Sequence, residues 1–193
     1  MSEAHHSFAD HFLIAMPGMA DDQFAGTLVF VCEHTPQGAL GLIINRPTNL
    51  SLGELFAKIE LPLHREALAD RPVLYGGPVQ PERGFVLHDR VRQEALTYAS
   101  SLLVPNGLEM TTSKDVLEAV AEGVGPAQLL ITLGYSGWGA GQLEEEIARN
   151  GWLTVEADHA LLFDTPIEER YDRALGLLGI TSAAWLTQDA GHA

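Results

Sequence analysis

Leu133–Trp152 reads LGYSGWGAGQLEEEIARNGW. Gly134, Gly137, Gly139 and Gly141 fall within eight residues, Trp138 stands among them, and Glu144, Glu145 and Glu146 follow. The apolar run QLLITLGY before it predicts a buried strand. After it, GQLEEEIARNG predicts a helix, with Leu143 and Ile147 one turn apart, Glu145 and Arg149 spaced for an ion pair, and Gly151 as the stop. A glycine-rich link from strand to helix is where nucleotide phosphates are held. The spacing does not fit G-x-G-x-x-G, and no lysine followed by Ser or Thr supplies a Walker loop. Trp138 stands where a nucleophile elbow needs its second glycine, and acidic residues in the first helical turn oppose a phosphate. The expected structure is therefore strand, glycine corner anchored by Trp138, then helix.

Working outward, HFLIAMP predicts a strand stopped by Pro17 and Gly18. GTLVFVCEH and GALGLIINRP predict a hairpin across TPQG. Ser51 followed by Glu54 is a capping-box signature for a helix over SLGELFAKI. VLYGGP and GFVLHD read as strands bracketing a turn GGPVQPERG, and TYASSLLV and LEMTT as strands joined at Asn106-Gly107. TSKDVLEAVAEG predicts a helix with Val116, Leu117 and Val120 on its apolar face and Gly123 as its stop. WLTVEA predicts a strand. TPIEERYDRALGLLG predicts a last helix capped by Thr165, with Pro166 in its first turn. Meandering strands with interspersed helices, without regular βαβ alternation, indicate the α+β class. Residues 1–10 and 189–193 read as polar tails around a single domain, 11–188.

The formal net charge is −15, from 26 acidic and 11 basic residues, and the only lysines are Lys58 and Lys114. Such a field repels nucleic acid and anionic membranes at long range. Arg65, Arg71, Arg83, Arg90 and Arg92 share one section of chain, either as scattered solvated residues or as a local basic patch. No run of about eighteen apolar residues occurs. The start MSEAHHSFADHF has no signal-peptide pattern, and the lone Cys32 fits a cytoplasmic protein.

Cys32 and His34 fall on one face of a strand, as a nucleophile and base would, but no third orienting group is evident and a small buried thiol with a strand-end histidine is the favoured reading. The eight histidines show no metal-ligand spacing, so neither a metal nor a cofactor is expected. Polar groups at element ends are the better candidates. Asn45 and Arg46 end a strand before Pro47, and Thr111, Thr112 and Ser113 open a helix. With Gly137, Trp138 and Gly139 they form the candidate ligand site, suited to a carboxylate or phosphate. Ordinary capping and surface roles account for the same residues.

FLIAMPGMADDQFAGTLVFVCEH, GALGLIINRP, LYGGPVQPERGFVLH, TTSKDVLEAVAEG and LGYSGWGAGQLEEEI, in this order, resemble the AlgH/YqgE family of bacterial proteins from about Phe12 to the end. The resemblance implies an α+β fold with a bifurcated, mostly antiparallel sheet bent into a pseudo-barrel and flanked by helices. It also implies a cytosolic protein described as a transcriptional regulator, with no catalytic set to carry over. The first functional expectation is a non-catalytic regulatory or binding protein acting indirectly, through an unknown protein or a small anionic ligand. The alternatives are an enzyme or nucleotide- or anionic-metabolite-binding protein using the candidate site, and a direct DNA-binding regulator. The acidic balance and the lack of a basic recognition helix weigh against DNA reading, and no membrane association is expected.

Overall fold

The computed structural model describes residues 5–19, 21–90 and 98–181. Arg92, the start of TYASSLLV, the first four residues and the C-terminal tail lie outside the described residues. The strands are β1 (His11–Ala15), β2 (Leu28–Thr35), β3 (Gly38–Ile43), β4 (Pro47–Ser51), β5 (Pro72–Tyr75), β6 (Val79–Asp89), β7 (Ser101–Val104), β8 (Leu108–Thr111), β9 (Leu129–Gly139) and β10 (Trp152–Glu156). The helices are α1 (Leu52–Lys58), α2 (Glu66–Ala69), α3 (Asp115–Ala121), α4 (Gln142–Ala148), α5 (His159–Asp164) and α6 (Arg170–Leu177). The fold is α+β with mostly antiparallel pairing, as expected. Contacts gather the chain into two compact units: Arg46–Tyr135 forms unit 2, and the segments on either side, to Asn45 and from Ser136, form unit 1.

In unit 1 the strand order is β10-β1-β2-β3, with the end of β9 beside β3, every pair antiparallel. The apolar run Leu28–Cys32 is buried without alternation, as a strand covered on both faces must be. Phe12 and Phe30 are cross-strand partners with rings 6.2 Å apart, edge to face. The β2–β3 hairpin forms as predicted, with a register shift between Val31 and Glu33 that leaves Cys32 as the extra residue. Burial pushes the Cys32 thiol far above its ordinary range, with the Glu33 carboxylate adding to the shift, which disfavours the thiolate that a nucleophile would need.

The glycine-rich stretch differs from expectation. It is strand as far as Gly139, and Ser136 and Trp138 are buried while Gly137 and Gly139 face outward. Close approach accounts for Gly134, where a Cβ would run into the Gly77 carbonyl, and for Gly38 opposite Gly139, where it would run into the Trp138 carbonyl. The corner comes later, at Gly141, whose left-handed φ of 75° starts α4. Asn150, at φ 60°, reverses the chain after α4, and the Gly151 N–H closes on the Glu146 carbonyl at 2.8 Å. The helix expected from Thr165 starts instead as a short 3-10 turn (Ile167–Glu169) and continues as α6, and the sequence did not point to α5 before it. Thr165 does not cap α6; it ends α5 with an extended backbone, as the residue before Pro166 must, and Asp158 caps the start of α5. Arg170 on α6 is buried and donates to the carbonyls of Ile44 (2.7 Å) and Thr165 (3.0 Å).

In unit 2 the order is β4-β5-β9-β6-β8-β7, and β5 runs parallel to β9. Pro47 does not merely end a strand; it starts β4, at a position where its missing N–H costs no ladder bond. The Ser51–Glu54 capping box is complete, with both bonds near 3 Å (2.9 and 3.1 Å). GGPVQPERG is not one turn. β6 already pairs with β9 at Val79 and resumes at Gly84, so Gln80–Arg83 bulges out of the ladder. Asn106 and Gly107, at φ 64° and 87°, make the β7–β8 turn. The core comprises Leu52 and Phe56 from α1, Val116 and Val120 from α3, and Val86 and Ile131 from the sheet.

Candidate functional site

Unit 2 carries a ladder of hydroxyls on β7, β8 and the segment entering α3. Ser101 and Thr111 are cross-strand partners, with their oxygens 2.7 Å apart. Thr111 Oγ1 also lies 2.8 Å from His88 Nε2, while His88 Nδ1 lies 2.9 Å from the Asp89 carbonyl. A carbonyl only accepts, so Nδ1 carries the hydrogen and the neutral ring accepts at Nε2. Thr111 therefore donates to His88, and Ser101 donates to Thr111. One rung on, the Ser100 and Thr112 hydroxyls meet at 2.8 Å, and Arg83 donates to Thr112 Oγ1 at 3.2 Å. The bulge in β6 is what brings Arg83 there. Ser113 donates to Asp115 and accepts from the Ser100 N–H. Partial burial raises the Asp115 carboxyl, but the Ser113 hydroxyl and the N–H groups of Ala99 and Val116 hold it below its usual value. The Tyr98 hydroxyl is buried without a partner among the described residues, and burial first, then Asp115, Glu109 and Asp89, push it above its ordinary range.

Beside this ladder lies a cavity of about 220 Å³. Leu55 and Ile59 of α1, Leu117 of α3, and Val86, Ile131 and Leu133 of the sheet give it apolar walls. Thr111, Thr112, Ser113, Lys114 and Glu82 give it a polar side. Arg46, in the same unit, does not line it; its carbonyl accepts the Tyr75 N–H at 2.8 Å.

In unit 1 Asn45 clasps a loop: its side chain accepts from the Leu28 N–H and donates to the Gly26 carbonyl, at 2.9 and 3.0 Å. The three consecutive glutamates point about 100° apart around α4, so each finds a different partner. Glu144 reaches His34 at 2.8 Å, Glu145 pairs with Arg149, and Glu146 Oε2 accepts both the Trp138 and Trp152 indole N–H groups, at 2.7 and 3.0 Å. Trp138, Trp152 and Phe24 meet edge to face or tilted, with centroids 5.7–6.1 Å apart. Trp138 is thus a core plug fastened by a carboxylate.

His5, His34 and Glu144 place their ligand atoms within 4.8 Å of one another, a convergence that no sequence spacing announces. The Phe8 N–H, however, donates to His34 Nδ1 at 3.0 Å. The neutral ring then carries its hydrogen on Nε2 and gives it to Glu144, which leaves no lone pair there for a metal. The cluster is a latch: Phe8 stacks on His34 at 5.4 Å, and Ser7 donates to the His34 carbonyl. Partial burial raises the Glu144 carboxyl, but its own backbone N–H, His34 and His5 together hold it below its usual value.

With that geometry in place, the family model described as AlgH-like matches residues 12–183. The chain belongs to the AlgH-like family. A UPF0301 protein of Burkholderia multivorans is 61% identical over 187 residues, covering 97% of this chain and 96% of that one. One from Ralstonia nicotianae is 61% identical over 191 residues, covering 99% and 98%. The solution structure of the AlgH protein from Pseudomonas aeruginosa superposes with a TM-score of 0.76 at 47% identity, covering all of both chains. A crystal structure from Corynebacterium diphtheriae, at 18% identity and TM-score 0.69 over 91% of this chain and 88% of that one, shares the fold.

Of the residues singled out by sequence in this AlgH-like chain, Thr111, Thr112 and Ser113 line one cavity in unit 2. Asn45, Gly137, Trp138 and Gly139 belong to unit 1. Sequence reasoning missed His88 and Ser101 as site residues and placed Arg83 only in the basic section. The His88–Thr111 contact spans 23 residues and the Ser101–Thr111 contact spans ten, so only the β6–β8–β7 register reveals them. Of the described arginines of the basic section, Arg65 donates to the Pro126 and Ala127 carbonyls, Arg83 donates to Thr112, and Arg90 approaches Glu109 at 3.9 Å. Among the described residues no helix is long and apolar enough to cross a membrane.

Proposed function

We propose that this AlgH-like protein is a regulatory binding protein whose ligand seat is the unit 2 cavity, and that it acts on transcription only indirectly. The observation that carries this reading is the pairing of apolar walls with the Thr111–Lys114 segment on one side of a cavity of about 220 Å³. That volume is below the range of roughly 300–1,000 Å³ usual for drug-sized ligands. It suits a small metabolite with a short aliphatic body. Lys114, one of two lysines in a chain of net charge −15, favours a carboxylate head at the polar side.

Thermal melting with a panel of short-chain carboxylic acids tests the proposal. A ligand at about 100 times its Kd stabilises by about 2.7 kcal/mol, enough to move the midpoint by several degrees. Leu117→Trp, which fills the cavity, abolishes the shift, and Lys114→Ala weakens it. No shift across the panel, or a shift untouched by Leu117→Trp, removes the cavity as the seat. A gel shift that survives about 200 mM salt would favour direct DNA binding instead.

A further inference from the structure

The hydroxyl chain of unit 2 runs from the surface to a buried base. Ser101 is exposed on the strand β7, Thr111 and His88 are fully buried, and the oxygen–oxygen and oxygen–nitrogen steps are 2.7 and 2.8 Å. The Asp89 carbonyl fixes which ring nitrogen is free, so both hydroxyl hydrogens point inward, toward Nε2. A proton entering His88 meets the Glu109 carboxylate, 4.0 Å from Nε2, with Arg90 beyond it at 3.9 Å. The Tyr98 ring borders the imidazole edge to face, and the Asp89 carboxylate is turned away onto the Gln128 N–H. A nucleophile, a base and a group that orients the base are the parts of an activated hydroxyl; here a second hydroxyl stands between the first two. A histidine that only satisfied the core would need no chain of donors ending at an exposed oxygen.

We infer that Ser101 is a covalent modification site, a nucleophilic hydroxyl that takes an acyl group from activated esters because Thr111 relays its proton to His88. Ser101 Oγ attacks the ester carbonyl and forms the new C–O bond. Its proton passes to Thr111 Oγ1 as the Thr111 proton passes to His88 Nε2. The ester C–O bond breaks, and the leaving alkoxide takes up a proton returned along the same path. The product is acyl-Ser101 and a free alcohol, with His88 neutral again. Thr111 and His88 are positioning residues, since neither touches the ester. The reaction is a single transfer, compatible with a binding protein; Thr111 also lines the cavity, so the labelling is read with no cavity ligand added.

The full chain is treated with p-nitrophenyl acetate, following p-nitrophenolate release and mapping the acetyl group by peptide mass spectrometry. One acetyl group on Ser101 is expected, absent in Ser101→Ala. Thr111→Val and His88→Gln slow it by about 100-fold or more, the usual scale of base assistance. Thr111→Ser restores the relay and stays within a few-fold of the unaltered protein. His88→Gln can still accept from Thr111 and donate to the Asp89 carbonyl but cannot take the proton, so it separates relay from fold. If Thr111→Val fails to fold by circular dichroism, the contrast between His88→Gln and Thr111→Ser decides. Acetyl groups confined to lysines or the N-terminus, or Ser101 labelled equally fast in His88→Gln, would overturn the inference.

Discussion

His34 in unit 1 and His88 in unit 2 are both buried, at 5% and 0% exposure, and both sit on strands of antiparallel pairs. They carry their hydrogen on opposite nitrogens. His34 meets a backbone N–H at Nδ1, so it must accept there and donate from Nε2 to Glu144. His88 meets a backbone carbonyl at Nδ1, so it must donate there and accept at Nε2 from Thr111. The backbone partner, which cannot change roles, decides what the far side of the ring can do. One ring becomes a donor that fastens the Phe8 segment; the other becomes a base at the end of a hydroxyl chain. Long-range nitrogen–proton NMR reads the two tautomers directly, and the reverse assignment on either ring would undo the comparison.

Removing each ring breaks the comparison most severely. His88→Ala leaves a cavity, an orphaned Asp89 carbonyl and a Thr111 hydroxyl without its acceptor, and is expected to cost about 3–5 kcal/mol in urea unfolding. His34→Ala is expected to cost less, about 2 kcal/mol, because water reaches the half-exposed Glu144 and the Phe8 N–H once the ring has gone. Equal losses would show that burial, not the polar partners, sets the effect. Thr111→Val keeps the shape of the side chain but strands His88 Nε2, for a loss of about 1–3 kcal/mol.

A smaller effect follows from pH. Glu144 beside His34, and Asp115 beside Ser113, are both held below their ordinary carboxyl values. Their stabilisation is therefore complete above the unfolded values, near pH 4, and is lost as the pH falls through the lower folded values. The urea midpoint should decline from about pH 5 to about pH 3. Glu144→Gln should flatten only part of that slope, since Asp115 contributes independently. Least of all, Arg149→Ala removes an exposed pair with Glu145 and should cost a few tenths of a kcal/mol, measured in the same unfolding assay.

What was legible in the sequence was local. The Ser51–Glu54 box, the Asn106-Gly107 turn and the β2–β3 hairpin all declare themselves within a few residues, because capping and turn chemistry act at that range. The glycine-rich stretch was misread because glycine marks two different demands. In GYSGWG the side chains alternate inward and outward as in any strand, and Gly134 there admits a neighbouring backbone. The second-position alternation of Ser136 and Trp138 was the available signal. Within the candidate site, Thr111 to Ser113 stood out as a polar cluster before a helix, whereas His88 and Ser101 depend on strand register. Register is set by pairing partners that no short window contains.

The continuous strand β9 has a consequence for how the protein is made. Its first half belongs to unit 2 and its last four residues to unit 1, so β1, β2 and β3 leave the ribosome long before the partners of β1 and β3 exist. All of unit 2 is synthesised in between. During that interval the nascent hairpin exposes two apolar strand edges, one awaiting Ser136–Gly139 and the other awaiting Trp152–Glu156. Such edges are templates for pairing with other chains. Those edges stay open until the last third of the polypeptide arrives, and the time taken to synthesise unit 2 sets how long that vulnerability lasts.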